Sequence, residues 1–102
     1  MEKEFVNYEQ ALALKELGFD EPCLKTMLDF DITYGSDVKM PLFQQTFRWF
    51  REKYKMYYVI VKAESWFYTI NGCNTQEGFN TYEEAELACL NKLIEIVKGG
   101  EQ

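Results

Sequence analysis

The sequence predicts an α+β fold: a single domain over residues 1–102, with helices packed on one face of an antiparallel sheet of three to four strands. A chain of 102 residues that is 47% hydrophobic has the length and apolar content of one core. Apolar residues recur at helical spacing in some segments and at every second position in others. The resulting order, α-β-α-β-β-(β)-α, contains no linker or repeat and is typical of this architecture.

The first helix is predicted from its end signals. Asn7 with Gln10 three residues later forms a capping box, and apolar residues at helical spacing follow. Gly18 suits the left-handed position after a helix. It would bring Phe19 back onto Leu14, as in a Schellman motif.

A strand and a second helix are expected next. From Leu24 to Tyr34, apolar and polar residues alternate, which indicates a half-buried strand. The following "YGSD" is either a loop or the turn of a hairpin whose second arm is Val38 to Met40. Pro41 suits the first turn of a helix.

The second helix is predicted over "PLFQQTFRWFREKYK", residues 41–55. Phe43, Phe47, Phe50 and Tyr54 share one narrow face, which is the spacing of a core-facing stripe. The other two sides differ: Gln44, Arg48, Arg51 and Lys55 form a basic edge, and Leu42, Trp49 and Lys53 form the opposite flank.

The remaining elements are strands and a closing helix. "MYYVIVKA" and "SWFYTI" are strand-like, and Asn71-Gly72 after them is a type I′ hairpin signal. A weaker strand signal covers Gln76 to Phe79. Thr81 and Glu84 form a second capping box, opening a helix that runs to Lys98 and ends at Gly99. The expected core between the sheet and these helices comprises Phe47, Phe50, Ile60, Leu90 and Ile94.

Composition excludes several classes of enzyme. The chain has no histidine, so the commonest general base and transition-metal ligand is missing. It has no phosphate-binding glycine loop, and its three cysteines show no metal-ligand spacing. Acidic residues at the start of the last helix suit capping and the helix dipole, and Asp29 with Asp31 would give a cation only two ligands. We expect no enzymatic activity, no cofactor and no metal.

Charge and hydropathy limit the location and the partners. The net charge of −6 opposes attraction to nucleic-acid phosphates and anionic lipids. No segment has the length and apolar content of a signal peptide or a membrane span. A cytoplasmic protein without membrane or duplex nucleic-acid partners is expected, with reduced cysteines of which Cys73, in a turn, is the exposed candidate.

The candidate binding residues come from the basic edge and the two tryptophans. Two guanidinium groups can clamp a phosphate or carboxylate, or the edge can pair with the protein's own Asp29 or Asp31. Trp49 is either a covered flank or a stacking platform. The aromatic content of 17% exceeds what a small core needs, so the uncovered sheet face should hold the surplus. The candidate set is Arg48, Trp49, Arg51, Lys55 and Trp66.

Three segments carry a resemblance: "KELGFDEPC", "PLFQQTFRWFREKY" and "YEEAELACLNKLIEIVK". Together they resemble a family of small uncharacterised proteins of phages and prophages of gut bacteria, for which no activity is known. The resemblance implies a phage-borne accessory protein in a bacterial cytoplasm. The β-β-α ending also resembles the double-stranded-RNA-binding domain, but that module needs lysines where this chain has "TYEEAE".

Two functional hypotheses follow. In the first, the chain is a non-catalytic accessory protein that binds a bacterial protein partner through aromatic and acidic surface. In the alternative, it sequesters a small ligand or nucleotide, with Arg48 and Arg51 as the phosphate clamp.

Overall fold

A computed structural model of the chain describes residues 4–23, 25–26 and 38–100. These residues form an α+β fold of three helices and two antiparallel sheets, which confirms the predicted class. They divide into two compact units, and the boundary along the chain falls between Thr46 and Phe47. The elements are α1 (Tyr8–Glu16), β1 (Lys25–Thr26), β2 (Lys39–Met40), α2 (Phe43–Tyr54), β3 (Tyr58–Lys62), β4 (Trp66–Ile70), β5 (Asn74–Phe79) and α3 (Tyr82–Lys98).

Both ends of α1 are as predicted. The backbone N–H of Asn7 donates to Gln10 Oε1 (3.0 Å), and the N–H of Gln10 donates to Asn7 Oδ1 (2.8 Å), which completes the capping box. Gly18 has a φ of 95°. The N–H of Phe19 donates to the Leu14 carbonyl at 2.9 Å, the long bond of a Schellman motif.

The first unit also contains the two-stranded sheet. Lys25 pairs with Met40 and Thr26 with Lys39, so two residues of the predicted second arm, Lys39 and Met40, lie in a strand, whereas the "YGSD" turn lies outside the described residues. The rest of the predicted strand from Leu24 to Tyr34 lies outside the described residues, as do Asp29 and Asp31.

The start of α2 differs from the prediction. Pro41 lies two residues before the first helical residue, and its carbonyl accepts a hydrogen bond from the Val6 N–H at 3.0 Å. The Leu42 carbonyl accepts from the Thr46 N–H at 3.0 Å. Leu42 is therefore the N-cap, and the placement of Pro41 in the first turn was wrong.

The second unit contains the three-stranded sheet, in the order β3-β4-β5. Asn71 and Gly72 have φ angles of 53° and 73°, and the Cys73 N–H donates to the Ile70 carbonyl at 3.0 Å. This is the predicted type I′ turn, and β5 confirms the weakly indicated strand. The register between β4 and β5 shifts at Trp66/Phe67.

Helix α3 covers one face of this sheet and contacts all three strands. Thr81 Oγ1 accepts from the Glu84 N–H at 3.1 Å, but Glu84 Oε1 accepts from the N–H of Asn80 at 3.0 Å, one residue before the position a capping box requires. The helix ends at Gly99 with an ordinary φ of −79°, and the left-handed residue is Gly100.

The core of the second unit matches the expected residues with one exception. Phe47, Phe50, Leu90 and Ile94 are buried. Ile60 is only half-buried, because it lies on the edge strand β3. Within the described part of the chain, no helix combines the length and apolar content needed to cross a membrane.

Candidate functional site

Strand β3 presents apolar side chains on the sheet face opposite α3. Side chains alternate along a strand, so Tyr58 and Ile60 face the helix layer while Tyr57, Val59 and Val61 face away from it. These three residues retain 53%, 51% and 40% of their accessible surface. Tyr57, Val59 and Val61 are called the β3 stripe below.

The outer edge of β3 carries backbone groups that face away from β4. The Tyr57 carbonyl accepts from the Asn71 N–H at 2.7 Å, and the Ala63 N–H donates to the Ser65 carbonyl at 3.0 Å, so both residues are bonded on the β4 side. Because bonding alternates along an antiparallel strand, the N–H and C=O groups of residues 58, 60 and 62 point outward. No other described residue hydrogen-bonds to them.

The rest of the open sheet face is more polar. On β4, Val59 pairs with Thr69 and Val61 pairs with Phe67. Thr69 and Phe67 are half-buried. On β5, Thr75 and Glu77 are exposed, and the Thr75 hydroxyl donates to Thr69 Oγ1 at 2.9 Å. An open hollow of about 290 Å³ at the β3–β4 end is lined by Ala63, Glu64, Ser65, Phe67, Thr75 and Glu77.

The basic edge of α2 is exposed. Arg48, Arg51 and Lys55 all lie at the surface, and Lys55 follows the helix with a φ of 59°. Arg51 lies close enough to the Tyr58 phenol to act on it. Burial and then Glu86 raise the pKa of Tyr58, and the Arg51 guanidinium partly offsets them. The basic edge therefore adjoins the beginning of β3.

The two tryptophans are not part of this surface. Trp49 is only 6% exposed and packs edge-on against Phe50 and Tyr54, with Lys53 Nζ 5.1 Å from its ring centre. Its ring faces are thus covered within the protein. Trp66 is half-buried on β4, and its ring meets Tyr82 edge-on with centroids 5.5 Å apart.

Two ionisable side chains of α3 have raised pKa values, which favours their neutral, protonated forms. Burial, followed by the charge of Glu83, raises the pKa of Glu86, against a hydrogen bond with Tyr82 that lowers it. Burial, followed by the charge of Glu86, raises the pKa of the Cys89 thiol to about 12. Cys89 is therefore not a thiolate at neutral pH.

The other possible reactive groups form no recognisable centre. Cys73 is exposed in the β4–β5 turn, as predicted, and Cys23 donates from Sγ to the Glu21 carbonyl at 3.4 Å. Among the described residues, no group of three or more Cys, Asp or Glu side chains is arranged to hold a metal ion.

The three residues of the β3 stripe are not among the candidates that the sequence predicts. "MYYVIVKA" was recognised as a strand, but the sequence does not show that the strand lies at an edge or which of its sides is uncovered. The expectation that surplus rings occupy the open face holds for Tyr57 and Phe67. Seven of the fifteen described rings are buried instead: Phe5, Phe19, Phe43, Phe47, Trp49, Phe50 and Tyr68.

Comparison with known proteins identifies no relative. No protein-family model matches the chain, and neither the search of curated proteins nor the search of solved structures found a match.

Proposed function

We propose that the chain is a non-catalytic accessory protein that binds a bacterial protein partner through the β3 stripe. The observation that carries this proposal is an apolar stripe on an edge strand whose outward backbone groups have no partner among the described residues. Exposed edges of this kind are ready to pair with another chain, and most proteins protect them. Tyr57, Val59 and Val61 would supply the apolar contact area.

The composition and the resemblance support the same proposal. Without histidine, and with a Cys89 thiol held neutral, the chain offers few groups for catalysis. The resemblance to phage and prophage proteins favours a partner in the bacterial cytoplasm. In this proposal Trp49 and Trp66, two of the candidate binding residues, have structural roles instead.

The test removes the apolar character of the stripe without changing its shape. Val59→Thr with Val61→Thr keeps the β-branched side chains and the net charge. We expect this double variant to bind the partner at least about tenfold more weakly, a loss of about 1.4 kcal/mol, because two methyl groups that the partner would bury become hydroxyls. The partner is first captured from bacterial lysate and then titrated in purified form.

A matched control is available on the other edge of the same sheet. Thr75→Val makes the reverse change on β5, and it should leave affinity unchanged. Equal binding by wild type and the Val59/Val61 double variant, with both folded by circular dichroism, would overturn the proposal.

A further inference from the structure

We propose that the outer edge of β3 takes an extended, acidic segment of the partner protein as an additional strand of the sheet. This inference rests on the proposed function and specifies the chemistry of the partner. It combines two observations: the outward backbone groups of β3, and the basic residues of the chain segment that leads into this strand and includes it.

The backbone of β3 favours a polypeptide ligand. Tyr58, Ile60 and Lys62 each direct one N–H and one C=O outward, at the two-residue repeat of about 6.6–6.8 Å found in strands. An extended peptide presents the complementary groups at the same repeat. A nucleic-acid strand does not present such groups. The basic residues near β3 are therefore not by themselves a reason to expect a nucleic-acid ligand.

Charge complementarity specifies an acidic segment. Residues 48–62 contain five basic side chains and one carboxylate, Glu52, so this stretch has a net charge of +4 in a protein of net charge −6. In the described part of the chain, Arg51, Lys55 and Lys62 form no ion pair. An approaching acidic segment would therefore be attracted to this side of the molecule.

The pleat of the sheet predicts the pattern of the bound segment. Residues of the added strand that lie on the open face would meet Val59 and Val61. Those on the other face would lie opposite Tyr58, Ile60 and Lys62. Near Tyr58, Glu86 counteracts Arg51. The strongest preference for Asp or Glu is therefore opposite Lys62, in a segment that alternates acidic with β-branched or aromatic residues.

The same charges disfavour a second copy of the chain as the occupant. Pairing two β3 edges would bring two stretches of net charge +4 together, in addition to the repulsion between two molecules of net charge −6. The edge of β5 is also a weaker candidate, because Gly78 is an extra residue in its pairing with β4. A bulge of this kind twists an edge and disrupts pairing.

The first experiment selects ligands from a random ten-residue peptide library displayed on phage, with the full chain immobilised. We expect enriched peptides with Asp or Glu at alternate positions and apolar residues between them. Absence of enrichment, or enriched peptides without acidic alternation, would overturn the inference. Displacement of the peptides by a single-stranded thymidine 20-mer would also overturn it by assigning the basic residues to nucleic acid.

The second experiment tests strand addition with a synthetic peptide from the selection. Ile60→Pro removes an outward N–H and no bond to β4, so it should weaken binding at least about tenfold. Thr75→Pro makes the equivalent change on the β5 edge and should alter affinity less than about twofold. Fluorescence anisotropy measures both, after nuclear magnetic resonance spectra verify the fold.

If Ile60→Pro unfolds the protein, chemically modified peptides test strand addition instead. N-methylation at successive peptide positions should abolish binding at every second position and be tolerated between them, because alternate N–H groups face β3. Uniform tolerance would overturn strand addition.

Charge is tested separately from the backbone. Lys62→Glu should weaken binding about tenfold, whereas Lys15→Glu in α1, with the same net charge, should have little effect. Equal effects would overturn the specific role of Lys62. Partner binding that is lost in the Val59/Val61 double variant but retained in Ile60→Pro would disprove strand addition and leave the proposed function standing.

Discussion

The two edges of the three-stranded sheet, β3 and β5, are built from opposite kinds of residues. Val59 and Val61 leave an apolar surface on β3, whose register with β4 is regular. On β5 the exposed residues are polar, and Gly78 interrupts the register with a φ of 94°. Bulges, charges and polar residues are the usual protection of a sheet edge. In the part of the chain that the structure describes, β5 therefore combines a bulge with polar residues, whereas β3 has the charge of Lys62 as its one such feature.

This contrast also separates stability from function. The covered face, with Tyr68 and Ile70 buried beneath α3, holds the sheet together whichever edge is free. Changes on the outer face of β3 should therefore alter binding more than folding. Changes in the core should affect both edges alike.

The largest expected effect comes from a change in the core, on which both edges of the sheet depend. Phe50 is fully buried on α2, so Phe50→Ala should lower the free energy of unfolding by roughly 3–5 kcal/mol through lost burial and a cavity. Urea denaturation gives the magnitude. Hydrogen exchange should show protection falling in β3 and β5 together, and an unchanged unfolding midpoint would contradict the burial of Phe50.

The parts of this fold that were predictable are those fixed by local chemistry. The Asn7–Gln10 capping box, the Gly18 ending and the Asn71-Gly72 turn each depend on residues within a few positions of one another. Their geometry follows from backbone preferences that need no knowledge of the tertiary fold.

The features that were missed depend on which elements become neighbours. The sequence left Trp49 as either a covered flank or a stacking platform, and only the packing of Phe50 and Tyr54 against it decides for the covered flank. Ile60 was expected in the core, but strand order places β3 at an edge. Strand order likewise determines that Val59 and Val61 form a stripe, so the candidate site could not be derived from periodicity alone.

A smaller effect tests the protection of β5. Gly78→Ala forces a side chain into a conformation with φ of 94°, although a Cβ there would have nothing within 4 Å. Backbone strain alone should then cost about 1 kcal/mol and loosen β5. Denaturation gives the free energy, and amide exchange shows whether the loss of protection is confined to the β4–β5 pairing.

The matched control for this change is Gly99→Ala. Gly99 has a φ of −79°, and the nearest atom to an added Cβ would be the Glu95 carbonyl oxygen at 3.4 Å. This substitution should be neutral or stabilise by about 0.4–1 kcal/mol through reduced freedom of the unfolded chain. Equal destabilisation by both variants would mean that the left-handed backbone of Gly78 has no special role in β5.

The smallest expected effect concerns the basic edge of α2, where the alternative of nucleotide sequestration makes its own prediction. Arg48 and Arg51 are exposed, and exposed charge interactions contribute about 0–1 kcal/mol each. Arg48→Glu with Arg51→Glu should therefore change the unfolding free energy only slightly. Calorimetric titration of wild type with ATP should give no binding heat, because Arg48 and Arg51 are exposed to solvent, where screening weakens their attraction for phosphate. Binding of ATP by wild type, lost in the folded double variant, would favour a phosphate clamp and reverse the assignment of this side of the molecule to a protein partner.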